Sequence, residues 1–223
     1  MSLGRMSIAT AFALGLTAAA TASAGLVCQE TVWLTPADQS AAHSATLRRS
    51  DLEPTFRDAW LAVRTTQAPA LPGCPGSDDM SRFVITGVAN RRWLGGAMEV
   101  DTRTFVVEAP WMLRGEWQSR THGRPALACV RRELSAEAAA EGGRVVSFGT
   151  VPLPRIAPYR RGFRMVVDWR SRGIPDRTVV ETIAMGRGRT TVWESVTGLL
   201  DDEEAISNAA LGYAELLIGR MAA

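Results

Sequence analysis

The clearest pattern in this chain is RGFRMVVDWR, residues 161–170. Apolar side chains occupy every second position from Phe163 to Trp169, and mostly charged side chains, from Arg164 to Arg170, occupy the positions between them. Successive side chains of a β-strand point to opposite faces of the sheet. The alternation therefore predicts a strand with one face buried under other elements and one face in solvent.

Five further segments have a strand pattern, and short connections join most of them. Gly186-Arg187-Gly188 is a glycine-bearing hairpin turn between two of these segments. Strands that are joined by short turns pair in the antiparallel sense, so we expect a largely antiparallel sheet of about six strands. The five segments are Arg82–Ala89, Ala97–Glu108, Arg144–Thr150, Arg177–Met185 and Thr190–Thr197.

Helices are predicted from apolar spacing and from capping signals. The first follows Ser50-Asp51-Leu52-Glu53, a capping box, and continues at helical spacing to Val63. A helical pair spans Pro110–Ala140, and the last helix opens on the four acids of Asp201–Glu204, which suit the helix dipole. Helices covering an antiparallel sheet define the α+β class.

The N-terminus has the features of a cleavable secretory signal peptide. Arg5 supplies a positive charge, an uncharged apolar run follows it, and Ala22-Ser23-Ala24 forms an A-x-A cleavage site. We expect residues 1–24 to be removed, residues 25–49 to form an extended segment, and residues 50–223 to form a single domain. The protein is then secreted or extracytoplasmic, in the cell envelope.

Two alternatives to a cleaved signal remain open. A membrane anchor needs roughly 20 predominantly apolar residues, whereas the run Ile8–Ala20 is mostly Ala and Thr. A lipoprotein would carry its acyl chains on Cys28, but Val27 stands where the lipidation motif has a small residue. We therefore expect no stable membrane insertion once the signal is removed.

The charge of the chain is nearly balanced. All 25 basic residues are Arg and the formal net charge is +2, which does not favour a nucleic-acid partner. Between Gly143 and Leu200, however, ten Arg stand against four acidic residues. This excess fits either solvated strand faces or a surface that attracts anions.

Three cysteines in an oxidising compartment predict a disulfide. Cys74 lies in a Pro/Gly turn, Cys129 lies in an apolar helical stretch, and Cys28 lies near the mature N-terminus. We expect Cys74 to pair with Cys129, closing a loop of about 55 residues and stabilising the fold by roughly 4 kcal/mol. Cys28 is then odd, and it is either free or bonded to a second chain.

The sequence contains no recognisable catalytic or metal-binding motif. His43 and His122 have no ligand or nucleophile at a recognisable spacing. Glu99 and Asp101 share a strand face, but Arg103 follows on the same face, so a solvated charged ladder is the better interpretation. The sequence thus predicts no enzyme, no metal and no cofactor.

Seven tryptophans are many for a chain of this length. Trp60, Trp169 and Trp193 lie in periodic segments and are expected in the core. A second group lies near connections or on a short helix, where a pocket lining and ordinary packing are both possible. That group is Trp93, Trp111 and Trp117.

The order of segments in Leu71–Met221 supports a family resemblance. AMEVDTRTFVV leads into a helical pair, whose second helix carries ALACVRREL, and RVVSFGTVPLPRI, paired strands and a terminal helix follow. This order resembles the actinobacterial extracytoplasmic sensor-like domains of the PknH sensor-domain and LpqN type. The resemblance implies a Mog1/PsbP-like sandwich that binds a ligand or a partner, and it transfers no functional residue.

These observations lead to one hypothesis about the site. The helical pair folds back over one sheet face, brings Trp111 and Trp117, and leaves a pocket that Arg160, Arg164 and Arg170 rim for an anion. The protein would be an exported, sensor-like binding domain for a small ligand or an envelope protein. An exported hydrolase with an unrecognised site and a structural envelope protein are the alternatives.

Overall fold

The computed structural model describes most of the chain after the predicted signal peptide. Several residues of the sequence predictions lie outside the described ranges: the predicted cleavage site, Cys28, Cys74 and His122. Residues 53–59, most of the first predicted helix before Trp60, lie outside them as well. No helix among the described residues is long and apolar enough to span a bilayer. The described ranges are 31–52, 60–65, 83–95, 98–121, 123–140, 142–171 and 174–221.

One eight-stranded sheet organises the molecule, in the order β1-β3-β4-β8-β7-β6-β5, with β2 also paired to β3. Six long strands, β3 to β8, pair with one another only in the antiparallel sense, and the two-residue β1 lies parallel to β3. The predicted α+β class with a largely antiparallel sheet is therefore confirmed. The strands are β1 Thr31–Val32, β2 Trp60–Thr65, β3 Val84–Gly95, β4 Met98–Val107, β5 Gly143–Val151, β6 Tyr159–Ser171, β7 Ile174–Arg187 and β8 Thr190–Leu199.

Helices cover both faces of this sheet. Helix α4 packs on β7 and β8, where Ile206 and Leu217 contribute to the largest apolar core, and α1 packs beside it on β3 and β4. The other face, which we call the α3 face, buries Phe163 and Met165 under α2 and α3. The helices are α1 Pro36–Ser44, α2 Pro110–Thr121, α3 Gly123–Ala140 and α4 Glu203–Arg220.

The expectation that residues 25–49 are extended is wrong for α1. Thr35 is the N-cap of this helix, and its Oγ1 accepts a hydrogen bond from the Asp38 amide at 3.2 Å. Pro36 follows at the first helical position, where its missing N–H breaks no bond. The Thr-Pro pair was therefore a helix-start signal, and the low apolar content of the helix concealed it.

The helix expected after Ser50 is also wrong in its described parts. Residues Arg49–Asp51 form a single 3-10 turn, and the Arg48 amide donates to Asp51 Oδ2 at 2.5 Å. The segment Trp60–Thr65 is strand β2, which pairs with Asn90–Leu94 of β3. Pairing with a long strand edge overrides the local helical spacing, because strand formation depends on tertiary context more than on propensity.

Helix α1 lies unusually close to the sheet. A Cβ atom on Gly87 of β3 would lie 2.2 Å from the carbonyl oxygen of Asp38, so only glycine allows this approach. Arg189, in the β7–β8 turn, donates to both carboxylate oxygens of Asp38, at 2.7 and 3.0 Å. These contacts fix the start of α1 between β3 and the β7–β8 hairpin.

Candidate functional site

A cleft of about 700 Å³ opens between α2 and the connection that joins β5 to β6. This volume lies within the range of small-molecule sites, roughly 300–1,000 Å³. Three arginines line the cleft beside an aromatic wall, and no carboxylate is among the lining residues that the structure describes. The lining consists of Arg114, Trp117, Thr150, Val151, Pro152, Leu153, Pro158, Tyr159, Arg160, Arg161 and Gly162.

Trp117 and Tyr159 form the aromatic wall. Trp117 is only 4% exposed, because it packs against Val130 and Phe163 in the core of the α3 face. Its ring centroid lies 5.8 Å from that of Tyr159, with the two ring planes tilted by 47°. The wall is thus held by the core behind it and does not depend on a ligand for its position.

The three arginines of the cleft have different surroundings. Arg114 is exposed on α2, and Arg160 Nη1 donates to the carbonyl oxygen of Ala157 at 2.9 Å. Arg161 is half-buried, and its Nε is a buried donor that finds no hydrogen-bond acceptor in the described part of the chain. Arg161 is therefore the arginine of the cleft with an enclosed guanidinium nitrogen that the described residues leave without an acceptor.

Gly162 permits the shape of the cleft. A Cβ at this buried position would lie 3.0 Å from the carbonyl oxygen of Val151 and 3.2 Å from Leu153 Cγ. The absence of a side chain lets the β5–β6 connection lie close against β6. Leu153 lines the cleft at this point and also packs against the core beneath α4.

The structure brings together two of the five predicted site residues. Trp117 and Arg160 line the cleft, whereas Trp111 lies at the start of α2, is 56% exposed and is not part of the lining. Arg164 faces α4 and is not part of the lining, and the side chain of Arg170 lies outside the described part of the molecule. The hypothesis of a rim formed by Arg160, Arg164 and Arg170 therefore does not hold for Arg164.

The alternation that predicted β6 shows which helix Arg164 faces. Phe163 faces α2 and α3, so its neighbour Arg164 must face α4. Tyr159 and Arg161 share the parity of Phe163, and both line the cleft. Arg160 and Gly162 share the parity of Arg164 and line the cleft as well, because the cleft lies where β6 begins. Sequence reasoning missed Tyr159, Arg161 and Arg114, because alternation does not show that residues of both parities meet at this end of the strand.

Arg164 belongs to a polar cluster beneath α4. Its Nη2 donates to Glu181 Oε2 at 2.8 Å, and its Nη1 forms an ion pair with Glu203 of α4. Ser207 Oγ donates to the same Glu181 oxygen at 2.9 Å. This cluster ties the first turns of α4 to β6 and β7.

Glu194 of β8 lies beside this cluster, fully buried. Neither of its carboxyl oxygens has a hydrogen-bond partner among the described residues, and the same holds for the hydroxyl of Thr102, its register partner on β4. Burial raises the pKa of Glu194 well above its ordinary value, and the nearby charge of Glu181 raises the pKa further. Both effects favour the neutral, protonated form of this carboxyl.

The remaining candidate residues have structural surroundings. Trp93 is buried on the face opposite the cleft, with its Nε1 donating to Leu47 O at 3.3 Å. The charged ladder is present as ion pairs: Arg92 lies 3.0 Å from Glu99, and Arg103 lies 3.3 Å from Asp101. Within the described ranges, no group of three or more His, Cys, Asp or Glu is arranged to hold a metal ion.

The cysteine pairing stays a prediction. Cys129 of α3 is 2% exposed, and both other cysteines lie outside the described residues. The three tryptophans expected in the core have different surroundings. Trp193 stacks on Phe163 with ring centroids 6.1 Å apart, and Trp169 is half-buried. The side chain of Trp60 lies outside the described part of the molecule.

Comparison with known proteins gives similarity of structure only. No family model matches the chain, and no curated protein matches it. Among solved structures, an uncharacterised protein of Mycobacterium smegmatis, the Rv0999 ortholog, is 12% identical and has a TM-score of 0.46, covering 82% of this chain and 97% of that one.

Two further solved structures are similar to the chain over shorter or more divergent parts of the fold. LpqN of Mycobacterium tuberculosis, a protein involved in cell envelope biogenesis, is 9% identical, with a TM-score of 0.28 over 72% of this chain and 91% of that one. The Ran-binding protein Mog1p of Saccharomyces cerevisiae is 12% identical, with a TM-score of 0.26 over 59% and 75%. The resemblance to the PknH sensor domain stays a prediction.

Proposed function

We propose that this protein is an exported, non-enzymatic binding domain of the cell envelope, and that the cleft between α2 and the β5–β6 connection binds an anionic partner. One observation carries the proposal: the described lining of this open cleft gathers the three guanidinium groups of Arg114, Arg160 and Arg161 and includes no carboxylate, and Arg161 Nε has no acceptor among the described residues. The remaining observations concern what such a cleft can hold.

An anion satisfies the polar groups of this cleft better than water does. A buried donor without an acceptor costs roughly 1–3 kcal/mol, and more when the donor is charged. A carboxylate or phosphate supplies acceptor oxygens that match the planar guanidinium fork, and hydrogen bonds between ionised groups are about twice as strong as neutral ones. Binding an anion therefore offsets the mutual repulsion of the three guanidinium groups around the free cleft.

The aromatic wall supports a partner that also has an apolar or planar part. Trp117 and Tyr159 are fixed by the core behind them, so contact with a ligand orders few additional side chains. Aromatic side chains provide a large contact area at a low entropic cost. The described lining offers contact and charge but no imidazole, thiol or carboxylate, which is why we propose binding and not turnover.

Export is the second part of the proposal, and it rests on the signal features of residues 1–24. The intact mass of the protein isolated from its native host is expected to correspond to a chain that begins at Gly25. A mass that retains residues 1–24, or one that includes acyl chains on Cys28, contradicts this expectation.

The binding proposal is tested with 1-naphthyl phosphate, an aromatic phosphate ester, in isothermal titration calorimetry. We expect saturable binding, and we expect Arg161→Gln to weaken it by roughly ten- to a hundred-fold, which corresponds to losing one charged hydrogen bond. The matched control is Arg155→Gln, because Arg155 is exposed on the same connection but outside the lining. This control is expected to bind within about twofold of the wild type.

Three results contradict the proposal. If the uncharged 1-naphthol bound as tightly as the phosphate, charge would not contribute to binding. If the wild type and Arg161→Gln bound the phosphate with equal affinity, the ligand would not bind in this cleft. Release of 1-naphthol from the phosphate by the wild type, but not by Arg161→Gln, would favour the hydrolase alternative.

A further inference from the structure

Strand β5 forms one edge of the sheet. It pairs with β6 on one side and is the last strand in the sheet order, so its outer backbone edge has no strand partner in the described structure. An edge strand presents a row of N–H and C=O groups to which another chain can add. The free edge of β5 is thus a possible docking surface.

β5 is long for an edge strand and weakly protected. It spans nine residues without a proline, and Val146 is 41% exposed, whereas protected edges are short or carry proline and charges. Its main protective feature is a bulge between Val145 and Ser147, which leaves a regular ladder from Ser147 to Val151. That ladder is long enough to pair with about four residues of an added strand.

The regular part of this edge leads directly into the cleft. Thr150 and Val151, the last residues of β5, are part of the cleft lining together with Arg114 and Arg161. Arg144 at the other end of β5 adds a further exposed positive charge. Its Nη2 forms an ion pair with Asp168 Oδ2 at 3.1 Å. A segment added alongside β5 would therefore run from one arginine towards three others.

We propose that β5 accepts an extended, acidic segment of a protein partner as an added strand, with the carboxylates of the segment bound by Arg161 and Arg114 in the cleft. This inference rests on the proposed function, since it names the partner of the same site. Backbone hydrogen bonds to the β5 edge supply affinity, and the arginines select acidic side chains.

Charge distinguishes this partner from a second copy of the same chain. Pairing two β5 edges would bring two arginine-rich clefts and two Arg144 side chains to one interface, and like charges at an interface are unfavourable. An acidic segment neutralises these charges. The electrostatics thus favour a partner of opposite charge over self-association.

The test uses a blocked eight-residue peptide of alternating Glu and Thr, labelled with fluorescein and followed by anisotropy. Successive amides of a strand point to opposite edges, so we compare two isomers, one N-methylated at the Glu amides and one at the Thr amides. We expect one isomer to lose at least about tenfold in affinity and the other to bind like the parent. Arg161→Gln is expected to weaken binding of the parent peptide about tenfold or more.

A substitution on the edge of β5 tests strand addition separately from anion binding in the cleft. Val146→Asp adds a negative charge to the edge and is expected to weaken the peptide about tenfold while leaving 1-naphthyl phosphate unchanged. Its matched control is Val32→Asp at the opposite side of the sheet, because Val32 is exposed to a similar degree, 46%. This control is expected to leave both ligands unchanged.

The outcomes distinguish failure of this inference from failure of the proposed function. If 1-naphthyl phosphate binds but the peptide does not, or if both N-methylated isomers bind as tightly as the parent, strand addition is wrong and the anion site stands. If neither probe binds, both proposals are wrong. A dimer in light scattering that Val146→Asp dissociates, without peptide binding, assigns the edge to a second copy and overturns the inference.

Discussion

Arg161 and Arg164 of β6 have different surroundings, because their side chains point to opposite faces of the sheet. Arg161 lies on the α3 face with a buried donor that no described residue satisfies, whereas Arg164, three positions later, is surrounded by Glu181, Glu203 and Ser207 on the other face. The same residue type is thus available for a ligand at one position and fully used by the fold at the other. Assigning a face to each position is therefore necessary before a charged strand residue is proposed as a site.

Glu194 gives a prediction about pH at the residue scale. The folded state holds its proton to a higher pH than the unfolded chain, in which the carboxyl ionises near its ordinary pKa of 4.5. Its contribution to stability is therefore complete below pH 4.5 and is lost as the pH rises towards the raised pKa. We expect Glu194→Gln to become progressively more stable relative to the wild type as the pH rises above about 4.5.

Urea unfolding of both proteins between about pH 4 and pH 9 measures this difference. Contributions from Asp38 and Asp51, whose pKa values are lowered by hydrogen bonds from Arg189 and Arg220, are common to both proteins and cancel. Glu204→Gln, at an exposed position in the first turn of α4, is the control for removal of a carboxyl. A pH-independent difference between Glu194→Gln and the wild type would show that the buried carboxyl is satisfied.

At the residue scale, the sequence predicted the residue types of the site better than the particular residues that form it. An aromatic residue from the helical pair and an arginine of β6 were expected together, and Trp117 and Arg160 do line one cleft. Arg114 could not be predicted, because nothing in the local pattern shows which side of α2 faces the β5–β6 connection. The buried Glu194 was also unpredictable, since its own strand shows no acidic partner.

At the element scale, the contact between α1 and β3 makes a specific prediction. Gly87→Ala places a methyl group 2.2 Å from the Asp38 carbonyl oxygen, so α1 must move away from the sheet. We expect a destabilisation of roughly 1–3 kcal/mol, with faster amide hydrogen exchange confined to α1 and its contacts.

Gly149→Ala is the matched control, because Gly149 is also in a strand but a methyl group added there would have no described atom within 4 Å. Its stability is expected to stay within about 0.5 kcal/mol of the wild type. Equal effects of the two substitutions would show that the loss arises from strand glycine itself and not from the approach of α1.

Element prediction succeeded where the pattern was long and failed where tertiary pairing decided. The helical pair, α4 and the hairpin of β7 and β8 were expected close to their observed bounds, whereas β3 runs to Gly95, six residues beyond its predicted end at Ala89. Strand β2 was expected as a helix because its apolar spacing fits both periods in so short a segment. Only the edge of β3, which pairs with β2 from Asn90 to Leu94, resolves that ambiguity.

At the scale of the whole molecule, the disulfide is the main untested constraint. We expect non-reducing peptide mapping to yield a Cys74–Cys129 peptide, and Cys74→Ser to lower the free energy of unfolding by roughly 2–4 kcal/mol. Cys28→Ser serves as the control and is expected to leave stability unchanged. Recovery of a Cys28–Cys74 peptide would contradict this pairing and would instead join the N-terminal segment to the segment before β3.

The sheet order also determines when this protein can fold. The β4–β8 pair joins the N-terminal and C-terminal halves, with Glu99 opposite Thr197, which lies far later in the chain. Contacts between such distant residues form slowly, because closing a long loop is entropically costly. A chain exported as we propose would complete its central sheet only after its last strand had crossed the membrane, so the topology itself delays folding until translocation ends.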